Sequence, residues 1–100
     1  MKSLRDPKRK PTHPGETLRE DVLPALKMSQ TEVARRLGVS RLSVSELLLE
    51  KRALSADMAV RIGKLTNTSP ESWLRMQTAV DLWNLEQDPK RYRGIEPVTA

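Results

Sequence analysis

In the stretch from Arg41 to Leu49, Val44, Leu47 and Leu48 fall on one side of a helical pattern, while Arg41, Leu42, Ser43, Ser45, Glu46 and Leu49 fall on the other. The second side is made of residue types that can read the edges of base pairs. An arginine can donate two hydrogen bonds to guanine, a leucine can meet a thymine methyl, and a glutamate can accept from cytosine N4. That chemistry is recognition and not catalysis. The chain has no Cys and a single His, and it shows no Gly-rich phosphate loop and no convergent His and acid set, so an enzyme is not expected. Scattered acids such as Asp57 and Glu71 serve as helix-start residues.

These side chains need a short, rigid helix braced by a second one. Ser29 stands three residues before Glu32, the spacing of a capping box in which the Ser29 hydroxyl accepts from an amide and Glu32 reaches back, so a helix begins there. Val33, Ala34 and Leu37 share one face of that helix, and Arg35 and Arg36 fall toward solvent. Gly38 can take the left-handed conformation that ends it, and Ser40 caps the next. Two short helices around a three-residue Gly-containing turn make a helix-turn-helix, whose second helix can lie in the major groove. An ordinary helical hairpin inside a small bundle has the same pattern, and the pattern alone leaves both readings open.

The run Ser29-Gln30, Gly38-Val39-Ser40 and Lys51-Arg52 resembles the Xre family of repressor-type helix-turn-helix domains. Beyond it, His13-Pro14-Gly15-Glu16, Leu54-Ser55, Met58-Ala59, Thr68-Ser69-Pro70-Glu71 and Trp73-Leu74 are similar to HigA-type antitoxins of that family. The resemblance implies an all-α, five-helix, lambda-repressor-like domain. It implies that Gln30 meets a DNA phosphate, that Arg41, Leu42 and Glu46 form the base-reading face, and that Ser40, Ser43, Ser45, Lys51 and Arg52 lie near base edges or phosphates. Three departures stand on that surface: Leu42 where Gln is frequent, Glu46 where Arg is common, and Leu49-Glu50 where Asn-Gly usually closes the helix. Two acids there oppose phosphates, and loss of the Gly predicts a longer helix.

At 100 residues and 37% hydrophobic content the chain suits one domain, and with no Phe its core must be built mainly from Leu, Val, Ala and Met. The formal charge of +5 is concentrated in the tails: residues 1–13 carry +4, residues 88–100 carry +1, and residues 14–87 sum to zero. Residues 1–12 are expected to be a flexible basic tail, residues 13–87 the helix-turn-helix domain, and residues 88–100 an extended C-terminal tail in which Tyr92 stands between Arg91 and Arg93. No apolar run approaches the ~18 residues of a membrane span, no signal-peptide pattern opens the chain, and no metal or cofactor is expected, which points to a cytoplasmic protein.

The first helix is expected to begin at His13-Pro14 with Leu18, Val22 and Leu26 inward, and to end near Val22 or kink there because of Pro24. A fourth runs from Ser55 to about Thr66 on Met58, Ala59, Ile62 and Leu65. The fifth, about 70–86, repeats Trp73, Met76, Val80 and Trp83 at spacings of three, four and three, a seam suited to dimerisation, with Leu74, Leu82 and Leu85 widening its apolar surface. Within that seam Trp73 is expected in the core, and Val80 with Trp83 at the partner. Pairing there would set two recognition helices about 34 Å apart for a palindromic operator. The resemblance further implies a HigB-type RNase toxin as a partner. A basic tail suits a basic RNase poorly, so the toxin is expected on a folded face, with Glu16, Glu20 and Asp21 as its acidic complement.

Overall fold

The structure is a computed structural model and describes residues 9–99; residues 1–8, which make up most of the basic tail, lie outside the described residues. The described residues are helical throughout their regular parts, with no strand among them. The first rod has three parts: α1 (Pro14–Thr17), a π-helical turn (Leu18–Val22) and α2 (Leu23–Leu26). Then come α3 (Gln30–Leu37), α4 (Arg41–Leu48), α5 (Ala56–Thr66) and α6 (Pro70–Glu86), followed by a 3-10 turn (Pro89–Tyr92). Counting the first three parts as one rod gives five helices.

Side-chain oxygens or a ring nitrogen start every rod. The hydroxyls of Ser29, Ser40, Ser55 and Ser69 accept from the amides of Glu32, Ser43, Met58 and Ser72, and His13 Nδ1 accepts from the Gly15 amide at 2.9 Å. That bond needs an unprotonated ring, and burial holds the His13 pKa below its ordinary value despite nearby Glu50 and Asp81.

Of the two expectations for the first helix, an end near Val22 or a kink there, the first is corrected: the helix continues to Leu26 through Pro24, with its irregular turn at Leu18–Val22. Pro24 cannot donate and its ring crowds the carbonyl four residues back. The backbone answers by widening one turn, so that the Leu23 amide bonds to the Leu18 carbonyl five residues earlier. The disturbance becomes a π bulge, and the rod survives it.

The helix ends are also specific. Val39 donates to the Ala34 carbonyl and Gly38 to that of Arg35; Lys51 donates to Glu46 and Glu50 to Leu47. Each pair is a Schellman cap, with the intervening residue left-handed. Gly38 supplies that conformation at φ 71°, but Lys27, Glu50 and Asn67 adopt it too, at φ 54°, 61° and 55°. Thus α4 ends at Leu48, and the longer helix expected from the missing Gly is not formed. The paired backbone bonds outweigh the ~1–2 kcal/mol steric cost of a left-handed side-chain-bearing residue.

Leu18, Val33, Ala34, Leu37, Val44, Leu47, Leu48, Leu54, Met58, Ala59, Ile62 and Trp73 form one apolar core between the rods. Val80 is also buried, at 3% exposure. Its placement at a dimer seam is therefore corrected: with Trp73 it faces into its own chain. Gln77 is buried on the same side of α6, where its amide oxygen accepts from the Leu54 amide at 2.8 Å and its nitrogen donates to Asp81 at 2.8 Å. A polar residue in the middle of the inward stripe splits the apolar repeat, and a reading that follows apolar residues alone turns the helix too far.

Candidate nucleic-acid interface

The α4 rod presents two unlike sides. Val44, Leu47 and Leu48 are 2–3% exposed, while Leu42 stands 65% exposed and Arg41 is exposed beside it. Leu49 is exposed at the far end, and Ser43, Ser45 and Glu46 are half-buried along the flank. The inner side anchors the rod, and the outer side is not covered by the described chain.

Two positioning contacts hold α4 in place from elsewhere. Arg61 on α5 donates to the Leu37 carbonyl at 2.8 Å and pairs with Asp57 at 2.8 Å, which ties down the turn between α3 and α4. Arg19, inside the π turn, donates to the Leu48 carbonyl at 2.6 Å and reaches Glu20 at 2.9 Å and Glu50 at 3.4 Å. A cation at the last carbonyls of a helix complements the dipole there. Sequence reasoning missed both arginines, because each bonds to a backbone atom 24 or 29 residues away.

Gly15 is the third positioning residue. A Cβ built on it would overlap the Leu47 carbonyl oxygen, so the start of the first rod lies directly against the end of α4. The His13-Pro14-Gly15-Glu16 string combines a cap, a helix-starting proline, a point of close approach and an acid in the first turn.

The charged side chains on this face are organised in pairs. Arg52 donates to the Ser43 hydroxyl at 2.9 Å and lies 3.3 Å from the Glu46 carboxylate, while Ser43 and Ser40 share a hydroxyl contact at 2.8 Å. Glu46, expected to accept from cytosine, therefore has a cation of its own chain beside it, which offsets its repulsion of phosphates. Lys51 is exposed, and Gln30 is half-buried at the first position of α3. The expected capping box is only half present. Ser29 accepts from the Glu32 amide at 3.2 Å, but the Glu32 carboxylate is held by Arg35 at 2.6 Å and Arg36 at 2.9 Å. Hydrogen bonds from these two guanidinium groups lower the Glu32 pKa to about 2, and charge-assisted bonds of this kind outcompete a neutral amide.

Of the residues expected at a toxin, Glu16, Glu20 and Asp21 are all exposed on the first rod, with Glu20 paired to Arg19. Of those expected at a dimer seam, Trp73 and Val80 are internal, and Met76 and Trp83 are half-buried. The Trp83 indole nitrogen is buried without an acceptor, and Lys10 lies 5.9 Å from its ring centre. The apolar side chains that α6 leaves toward solvent are Leu82 and Leu85, at 45% and 39% exposure, with half-buried Leu74 in line with them. Among the described residues no three His, Cys, Asp or Glu come together to hold a metal ion, and no helix is long and apolar enough to cross a membrane.

A capped rod with one side in the core and the other open, braced by a second rod across a glycine turn, defines a helix-turn-helix DNA-binding protein. Comparison with known proteins agrees. The helix-turn-helix family profile matches residues 18–73. An HTH-type transcriptional regulator of Haemophilus influenzae is 39% identical over 90 residues, covering 90% of this chain and 84% of that one. Among solved structures, the Pseudomonas aeruginosa antitoxin HigA with the higBA promoter is 36% identical at a TM-score of 0.81, covering 89% of this chain and 99% of that one. Antitoxin GraA in complex with its operator is 38% identical at a TM-score of 0.85, covering 98% and 100%. The chain belongs to the helix-turn-helix family, in its Xre branch, a family of DNA-binding regulators rather than enzymes, and is similar to HigA-type antitoxins.

Proposed function

We propose that this protein is the antitoxin of a type II toxin-antitoxin module: it neutralises a HigB/RelE-like mRNA-cleaving toxin and, as a homodimer in the cytoplasm, binds a palindromic operator to repress its own operon. The observation that carries the DNA half is the open outer side of α4 over a buried inner side, held from three directions by Arg61, Arg19 and Gly15. In this reading Arg41 and Leu42 enter the major groove at the first turn of the rod, with Ser45 and Glu46 one turn on. Gln30, Ser40, Ser43, Lys51 and Arg52 lie toward the phosphates.

Pairing of two copies is supported by the apolar strip of α6 at Leu74, Leu82 and Leu85, which a soluble monomer would leave wet. This strip takes the place of Val80 in the seam. The toxin half is supported by the solved antitoxins that this chain is similar to, and by the exposed Glu16 and Asp21 on the first rod, acids suited to a basic RNase.

A gel shift with the protein's own upstream DNA at two salt concentrations tests the operator reading. Specific binding that weakens as salt rises is expected, because phosphate contacts release counterions. Binding no tighter than to scrambled DNA would overturn it. For the toxin, co-expression of a HigB-type RNase with charge-reversed Glu16, Glu20 and Asp21 should show weakened capture, and unchanged capture would reject this placement.

A further inference from the structure

The last residues of the chain and the outer side of α6 are both unsatisfied, and they match. Ile95 and Val98 are 74% and 96% exposed, the two most exposed large apolar residues among those described. The outer side of α6 carries a shallow open groove lined by Glu71, Leu74, Arg75, Thr78 and Leu82. We infer that in the dimer the tail of one copy, residues 93 to 98, lies in the α6 groove of the other. This inference rests on the α6-paired dimer proposed above: the two helices meet around Leu85, and the Leu74 and Leu82 part of each strip takes the partner's tail.

The spacing supports one register. Leu74 and Leu82 are eight residues apart on a helix, about 12 Å; Ile95 and Val98 are three apart, one turn of the polyproline II form that Pro97 favours, which puts them on one face about 9 Å apart. With Ile95 on Leu74 and Val98 on Leu82, the tail runs parallel to the helix. That register sets Arg93 near Glu71 and Glu96 near Arg75, so both charges of the tail meet their opposites. The antiparallel register, with Ile95 on Leu82, takes Arg93 away from Glu71.

The direction also fits a two-fold pair. When two α6 rods cross antiparallel near their C-terminal ends, the partner's helix ends beside Leu85, and its 3-10 turn (Pro89–Tyr92) carries the chain on toward the N-terminal half of the groove. Its chain must then reverse to run parallel. The reversal is present: the Ile95 amide donates to the Tyr92 carbonyl at 3.0 Å across Arg93-Gly94, and Gly94 has open space around it. On its own chain the tail does not cover the groove, since Ile95 and Val98 stand in solvent. A two-fold axis uses the contact twice, which suits a short segment of modest area.

Self-association of the full chain, measured by analytical ultracentrifugation without DNA or toxin, tests this. Removal of residues 94–100, or Ile95→Ser with Val98→Ser, leaves the core intact and should weaken the dimer about tenfold or more, as loss of two half-buried apolar contacts per tail predicts. Arg75→Glu and Glu96→Arg should each weaken it, and the double variant should recover most of the loss, the signature of a direct pair. A dimer as tight without the tail as with it, or charge variants that add without recovery, would overturn the tail contact while leaving the α6 pair standing. A tail that closes on its own groove would show the charge coupling in a monomer and would overturn the exchange between copies. A monomeric full chain with no such coupling would overturn the dimer reading and the tail contact together.

Discussion

Substitution of Gly15 by Ala tests how α4 is held. The residue sits at the second position of α1, where an added methyl has a small favourable effect on helix propensity, at most about 1 kcal/mol. Against this, the new Cβ would overlap the Leu47 carbonyl oxygen and crowd the Leu47 carbonyl carbon and the His13 ring. Two of those three atoms are backbone and cannot rotate away, so either the first rod or the end of α4 must shift. Overpacking of this kind costs about 1–3 kcal/mol. The net expectation is a loss of about 1–2 kcal/mol, or roughly 4–16 °C in Tm for a domain of this size. Urea and thermal unfolding monitored by circular dichroism would measure it. Gly94→Ala is the control, because nothing lies within 4 Å of that site, and it should change stability by less than about 0.5 kcal/mol. A Gly15→Ala protein as stable as the parent would refute the claim that close approach selects glycine here. A shift at the end of α4 would also move the side proposed to read DNA, and operator affinity should then fall even at temperatures where the variant is folded.

Stability should decline with acid. The His13 pKa is lowered in the folded state, so the folded chain favours the neutral ring, and its contribution is complete above about pH 6.5 and lost as pH falls through the folded value. His13→Asn, which can still cap, should flatten that decline in urea titrations from pH 7.5 to 5. Glu32 acts lower: its contribution is present above the ordinary value of 4.5 and is lost as pH falls toward about 2, so Glu32→Gln should remove an acid-side component of unfolding. Glu50→Gly should stabilise the chain by about 0.5–1 kcal/mol by relieving a left-handed side-chain-bearing residue, net of an exposed ion pair to Arg19; destabilisation would show that Glu50 matters more through Arg19 than through its backbone. Arg52→Ala removes a cation and leaves Glu46 uncompensated beside the base-reading side, so operator binding should weaken about tenfold and its log–log salt slope should fall by about one. Retained affinity and slope would mean that Arg52 serves only its own chain.

Most of the fold was legible from local signals. A cap's partner is three residues away and an apolar stripe repeats within one or two turns, so Ser29, Ser40, Ser55 and Ser69 mark four helix starts and Gly38 marks the turn between α3 and α4. The outer position of Arg41 and Leu42 follows from the same short-range periodicity. Three further features were invisible to it. Whether Pro24 ends a helix or is absorbed by a π turn depends on whether the widened turn can still bury Leu18 in the common core, which only the assembled rods decide. The inward side of α6 was misjudged because buried Gln77, which bonds to the Leu54 amide, does work that an apolar count does not register. Arg19, Arg61 and Gly15 hold the recognition rod through backbone atoms of other elements, contacts of shape and hydrogen bonding between segments 24 or more residues apart. The amino-acid order by itself determined which segments are helices and which side of α4 stays open to solvent. Only the tertiary structure decided how that helix is clamped and which side of the last helix remains for a partner, because both depend on distances through space that no spacing along the chain encodes.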